Sequence, residues 1–117
     1  MHINWLGQTC IKLQTKNLKD EDVVILIDPY KPTKGDFPRN FSPDVAIYSK
    51  GSENSVTVSD SAFIVETLGE YDIKGNMVYA MAGNKTDLIF KISTEGMNVV
   101  HLGGIKEKIS ESIIEKI

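Results

Sequence analysis

The side chains able to do chemistry in this sequence are few and scattered. They are two histidines, His2 and His101, a single cysteine, Cys10, and a carboxylate, Asp28, closing a strongly apolar run. A zinc centre takes three or four imidazole, thiolate or carboxylate ligands. Nothing in the spacing of His2, Cys10, Asp28 and His101 brings that many together. Asp28 has an alternative role in capping the backbone N–H groups of the turn that follows it. His101, between Val100 and Leu102, reads as a residue of the core or rim near a strand end. Cys10 stands beside Ile11 with no histidine or cationic run nearby to lower its thiol pKa, so it reads as a small apolar residue. Ser49-Lys50 and Ser52 hold the pieces of a Ser–Lys nucleophile pair, yet no oxyanion element accompanies them. Gly51 and Gly103-Gly104 make no phosphate cradle of the Gly-x-x-x-x-Gly-Lys kind.

The elements that must position these residues are mostly strands. Val23-Val-Ile-Leu-Ile27 is continuously apolar and largely β-branched, the pattern of a strand buried on both faces. Asp28-Pro29 stops it, because proline cannot donate to a sheet ladder. A carboxylate at the C-terminal mouth of such a strand is where sheet enzymes often keep a working residue. Ile3–Leu6 and Cys10–Thr15 are two short strands joined at Gly7-Gln8, and Lys16–Asp22 is a hairpin loop into the long apolar strand. Asp44–Tyr48 is a second buried strand, parallel to the first. The prolines and charges of Tyr30–Pro43 make a long loop, a type often used for binding, and Ser49–Ser61 is polar and loop-like.

Further strands are expected over Ala62–Glu66, Glu70–Ile73, Asn76–Ala82, Asp87–Ser93 and Met97–Leu102. Met77, Tyr79 and Met81 alternate on one side of the third of these and are assigned to the core. Gly83-Asn84-Lys85 is a tight turn of hairpin type. From Lys106 the period changes: Ile105, Ile109, Ile113 and Ile117 recur every four residues, which predicts an amphipathic helix docked by its isoleucine stripe.

Bulk properties narrow the function classes. At 117 residues, 41% hydrophobic and 25% charged, the chain is a single ordinary globular domain, residues 1–117. A net charge of −3 with no basic run among aromatics gives no nucleic-acid footprint. No apolar run is long enough for a membrane span, so no membrane association is expected. One cysteine excludes an internal disulfide and, with no signal-peptide pattern, points to the cytoplasm.

Taken in order, Ile3-Asn-Trp-Leu-Gly-Gln-Thr-Cys10, Ile25-Leu-Ile-Asp-Pro29, Phe41-Ser-Pro-Asp-Val-Ala-Ile47, Leu68-Gly-Glu-Tyr-Asp-Ile-Lys-Gly75 and Gly96-Met-Asn-Val-Val-His-Leu-Gly103 resemble the N-terminal half of a metallo-β-lactamase-fold, zinc-dependent hydrolase. The resemblance implies an α/β fold: one half of the αβ/βα sandwich, a mixed, mostly antiparallel β-sheet with a C-terminal helix. It also implies a metal signature, Thr-His-x-His-x-Asp-His, directly after the strand ending at Tyr48. The matching residues are Ser49-Lys50-Gly51-Ser52-Glu53-Asn54-Ser55.

Lys50, Ser52 and Ser55 therefore stand where the family has histidines, and Asn54 where it has aspartate. A protonated lysine repels a divalent cation, and hydroxyls and an amide carbonyl are poor zinc ligands beside imidazole. A further family histidine has no counterpart in Ala82-Gly83-Asn84, and the bridging aspartate after His-Leu-Gly is Gly104. The last histidine belongs to a C-terminal half that this sequence does not contain, so the chain is read as half of the family's fold, with an isolated fragment as one possibility. By the resemblance Asp28 would orient the metal loop from behind; with His101 it forms the residual polar site.

The expectation is thus a relative with a degenerate metal loop and neither metal nor cofactor, acting as a binding or assembly module. The alternative is a metal-dependent hydrolase completed by a partner chain or by unusual ligands. Because half a sandwich leaves a sheet face uncovered, a homo-oligomer is expected, in its simplest form a two-fold homodimer through that face.

Overall fold

The computed structural model of the protein describes residues 1–31, 42–59, 61–83 and 87–117. Its elements are β1 (His2–Trp5), β2 (Ile11–Lys16), β3 (Asp22–Ile27), β4 (Val45–Ile47), β5 (Phe63–Val65), β6 (Gly69–Ile73), β7 (Asn76–Ala82), β8 (Leu88–Thr94), β9 (Met97–His101) and α1 (Glu111–Lys116). The strands divide between two sheets instead of forming one. The first has the order β1-β2-β3-β4-β5 and the second β6-β7-β8-β9.

The first sheet is mixed. Short connections make β1, β2 and β3 an antiparallel meander, with Leu13 opposite Ile25. β4 and β5 then add in parallel, with Ile27 opposite Ile47 and Ile47 opposite Val65. This parallel set fits the continuously apolar β3, since parallel strands are covered on both faces. Leu26 and Ala46 on one face are as fully buried as Ile25, Ile27 and Ile47 on the other. The second sheet is antiparallel throughout, and its strands alternate.

The segment Glu66–Leu68 carries the chain from one sheet to the other, so Ala62–Glu66 and Glu70–Ile73 are not neighbours in one sheet. Leu13, Val23, Ile25, Ile27, Val45, Ile47 and Val65 of the first sheet pack with Val78, Ala80, Phe90 and Ile92 of the second, forming one apolar core. At its margin Thr15 Oγ1 meets Thr94 Oγ1 at 2.5 Å and donates to Glu95 Oε2 at 2.8 Å.

Two expectations need correcting. The core face of β7 is Asn76, Val78 and Ala80, while Met77, Tyr79 and Met81 are half-buried on the outer face. Period two was right, but the phase was reversed because Val78 and Ala80 pair with Ile92 and Phe90. The helix is also shorter than the isoleucine stripe. It starts where the Ser110 side chain accepts the N–H of Ile113. Ile105 and Ile109 are partly buried in the non-helical approach, and only Ile113 of the helix is buried.

The expected turn over Gly83-Asn84-Lys85 lies partly outside the described residues, although Gly83 N–H donates to the Asp87 carbonyl at 2.9 Å. Most of the loop Tyr30–Pro43 also lies outside them. Among the described residues no helix is long and apolar enough to cross a membrane.

Candidate functional site

The site grows from the C-terminal ends of β3 and β4. Pairing of Ile27 with Ile47 brings Asp28 and Ser49 side by side. Asp28 N–H donates to the Ile47 carbonyl at 2.8 Å, and the backbone of Asp28 then turns to φ +51°. A left-handed conformation is unusual for a residue with a side chain, although Asp tolerates it better than most. The turn points the carboxylate back at β4: Oδ1 accepts the Ser49 N–H and Oδ2 the Ser49 hydroxyl, both at 2.7 Å. Asp28 and Ser49 are each only 1% exposed. Both carboxylate oxygens thus fix the first residue of the Ser49–Ser55 turn. Ser49 is hydrogen-bonded to a carboxylate as a nucleophile might be, but it is sealed from solvent.

Tyr30 makes the second brace. Its hydroxyl accepts the Lys50 N–H at 2.8 Å and donates to the Gly51 carbonyl at 3.1 Å. The ring lies 6.3 Å from that of the buried Tyr48. Burial, with the charges of Asp28 and Asp87 adding to it, pushes the Tyr30 phenol up to about 12 despite the bond from Lys50. It is therefore a neutral donor and acceptor across the physiological range.

Above these braces the turn faces water. Ser52 N–H donates to Glu66 Oε2 at 3.0 Å, and the Ser52 carbonyl accepts the Ser55 hydroxyl at 2.7 Å. Asn54 has φ +59° and its carbonyl accepts the Lys31 N–H at 2.9 Å. Ser52 and Asn54 are exposed and Ser55 is half-buried. The Ser55 hydroxyl closes the turn upon itself, and the backbone of Ser52 and Asn54 ties it to Glu66 and Lys31.

The second sheet supplies the facing wall. Leu88 N–H donates to the Ser49 carbonyl at 2.8 Å, which ties β8 to the turn. After β9, Gly103 (φ +66°) lies so close that a Cβ on it would be 3.0 Å from Ser49 Cβ and 3.1 Å from the Leu88 carbonyl oxygen. Gly104 follows against Lys50. A Cβ there would lie 2.9 Å from Lys50 Nζ, and Nζ in turn is 4.0 Å from Asp87 Oδ2.

His101 is held by two bonds of its own. Gly103 N–H donates to Nδ1 at 3.1 Å, which leaves the ring hydrogen on Nε2 for the Thr9 carbonyl at 2.8 Å. Nε2 thereby holds β9 to the β1–β2 connection, and Nδ1 holds the turn that follows β9. Cys10 is buried, and burial first, then the Asp28 charge, pushes its thiol up to about 12, so it is no nucleophile at neutral pH.

The structure thus brings Lys50, Gly104 and Asp87 together next to the buried Asp28–Ser49 pair, leaves Ser52 and Asn54 exposed and Ser55 half-buried, and bonds His101 to Thr9 and Gly103. Among the described residues no three His, Cys, Asp or Glu side chains group as metal ligands. An ammonium, two hydroxyls and an amide are a poor donor set for zinc. Sequence reasoning missed Tyr30, Glu66 and Asp87. Tyr30 follows directly on Asp28-Pro29, which is a usable signal, whereas Asp87 enters through sheet pairing alone.

The chain matches the sequence profile of the beta-lactamase superfamily domain over residues 2–117. Among curated proteins no sequence matches it significantly. Its fold is similar to that of a Thermotoga maritima protein described as a candidate Zn-dependent hydrolase of the metallo-beta-lactamase superfamily. The TM-score is 0.76 at 23% identity, over 97% of this chain and 54% of that one. The chain therefore spans about half the length of that solved relative. With the profile covering nearly every residue, and with mixed and antiparallel sheets in the same arrangement, the chain belongs to the beta-lactamase superfamily.

Proposed function

We propose that this chain is a non-catalytic binding or assembly module built on one half of the metallo-β-lactamase sandwich. In this reading the loop that holds metal in the family has become a self-bonded polar turn. Lys50, Ser52, Asn54, Ser55 and Gly104 occupy the ligand positions without ligand chemistry, and Asp28 orients a turn that holds no ion. The observation that carries the reading is the Lys50–Gly104 contact, where an ammonium fills the space of a ligand side chain. His101 offers no remedy, since both its nitrogens are bonded to backbone.

The partner this reading favours is a second copy, because the outer face of the second sheet carries half-buried Met77, Tyr79 and Met81. The buried, unpaired Cys10 accords with a cytoplasmic setting.

The test is metal analysis of the purified protein, together with thermal unfolding in zinc and in EDTA. Little bound zinc and coincident unfolding curves are expected. Near-stoichiometric zinc in a site involving His101 would overturn the reading. Sedimentation should show a dimer, and a well-folded monomer at high micromolar concentration would overturn that part.

The superfamily match favours a second reading, a metal-dependent hydrolase whose remaining ligands come from a partner chain or are of unusual type. With a partner chain it requires zinc uptake and hydrolysis to appear only when that partner is added.

A further inference from the structure

We infer that the Lys50 ammonium is the resident cation of this corner of the fold, and that by standing beside Gly104 and Asp87 it keeps a divalent ion out. The inference rests on the reading above, that the Ser49–Ser55 turn and Gly104 are the fold's ligand positions. It adds a specific agent and a specific contact to that reading.

The root of the side chain is fixed from two sides. Asp28 holds the N–H and hydroxyl of the preceding Ser49, and Tyr30 Oη holds the N–H of Lys50 itself. From that root the side chain reaches the start of the segment after β9. A Cβ on Gly104 would lie 2.9 Å from Nζ and 3.1 Å from Cε, closer than non-bonded carbon atoms rest. The missing side chain at 104 is therefore what gives the ammonium its place. The same imaginary Cβ lies 3.7 Å from Asp87 Oδ2, and Nζ lies 4.0 Å from that oxygen, so one carboxylate and one glycine frame the cation.

The surroundings favour a positive charge. Asp28 and Asp87 both bear on the Tyr30 phenol, so two carboxylates act on the same corner. A lysine delivers one charge on a tether and needs no directed lone pairs, whereas a transition metal needs several. The Lys50 side chain is 51% exposed, so the ion pair with Asp87 is wet and adds little stability. Its effect is on occupancy: an incoming divalent ion meets a like charge already in position.

The test uses Co²⁺ as the probe, read by its visible absorption, on a pair of variants of the 117-residue chain. One is S52H/N54D/S55H with Lys50 and Gly104 retained, and the other adds K50L, which removes the ammonium and supplies no ligand. K50L should tighten Co²⁺ binding at least about tenfold. Equal affinity in two folded variants would overturn the role given to Lys50.

A milder measurement avoids any risk to folding. The lysines are tagged with carbon-13 methyl groups by reductive methylation, and the Lys50 signal is assigned by its loss in K50R. G104A should shift that signal, and an unmoved signal would overturn the contact. Tight Co²⁺ binding by the unsubstituted protein would instead overturn the non-metal reading on which the inference stands, so the two failures are distinguishable.

Discussion

Two layers of the same site behave in opposite ways. Below, Asp28 and Ser49 are buried, and every polar atom of the pair described above has a partner at 2.7 or 2.8 Å. Above, Ser52 and Asn54 are exposed and Ser55 is half-buried, and the turn is held by the Ser55 hydroxyl on the Ser52 carbonyl and by bonds to Glu66 and Lys31. The lower layer is a device for aiming a loop. The upper layer is a loop whose polar side chains are hydroxyls, an ammonium, an amide and one carboxylate, Glu53, with no imidazole or thiolate. Precision of support and capacity for chemistry are thus separable properties, carried by different residues a few positions apart.

The sharpest way to break the contrast is to remove the support. Asp28→Ala leaves the buried Ser49 N–H and hydroxyl without acceptors, and a bond to a charged acceptor contributes about 1.5–3 kcal/mol. A loss of about 3 kcal/mol is expected, read as a lower urea midpoint at unchanged slope. Asp28→Asn keeps an acceptor and a residue type that tolerates φ +51°, so it should lose only about 1 kcal/mol. An equal loss in both variants would mean that the carboxylate is not aiming the turn.

Next comes Gly103→Ala, which combines positive φ with a Cβ pressed on the Ser49 side chain and the Leu88 carbonyl. About 2 kcal/mol of destabilisation is expected in the same assay. At the small end, Ser52→Ala should change stability by no more than about 0.5 kcal/mol, because the exposed Ser52 is bonded through its backbone. A large effect there would erase the distinction between the layers.

Alkaline pH tests the lower layer without mutation. Cys10 is raised from 9.0 to about 12, and Tyr30 from 10.0 to about 12, in both cases chiefly by burial. Both groups bind their protons more tightly folded than unfolded. Their contribution is complete below pH 9 and is lost as pH rises through 9 to about 12. Unfolding midpoints should therefore fall over that window, and Cys10→Ala should remove the earlier part of the fall. Iodoacetamide should label Cys10 in the folded protein far more slowly than a free thiol, since the thiolate is the reactive form.

How much of this was legible in advance differs between elements. β7 shows the limit well: Asn76–Ala82 alternates plainly, yet Val78 and Ala80 face the core and not Met77, Tyr79 and Met81. Alternation fixes a period, and the facing strand selects the phase. The C-terminal stripe shows another limit, because Ile105 and Ile109 hold the helical spacing outside α1, and the Ser110 cap sets where the helix begins. For the site, the residue types of the Ser49–Ser55 turn already spoke against zinc chemistry, and Asp28 was marked by its place after the apolar run. His101 was legible as a strand-end residue, but its bonds to Thr9 and Gly103 were not.

By itself, then, the sequence determined the strand periods, the stop at Asp28-Pro29, the family and the donor chemistry available to the turn. The tertiary structure alone decided that Tyr30, Lys50, Asp87 and Gly104 meet. The reason is physical. Side-chain period and donor type belong to neighbouring residues, whereas that meeting needs two sheets, far apart along the chain, to pack in one particular register.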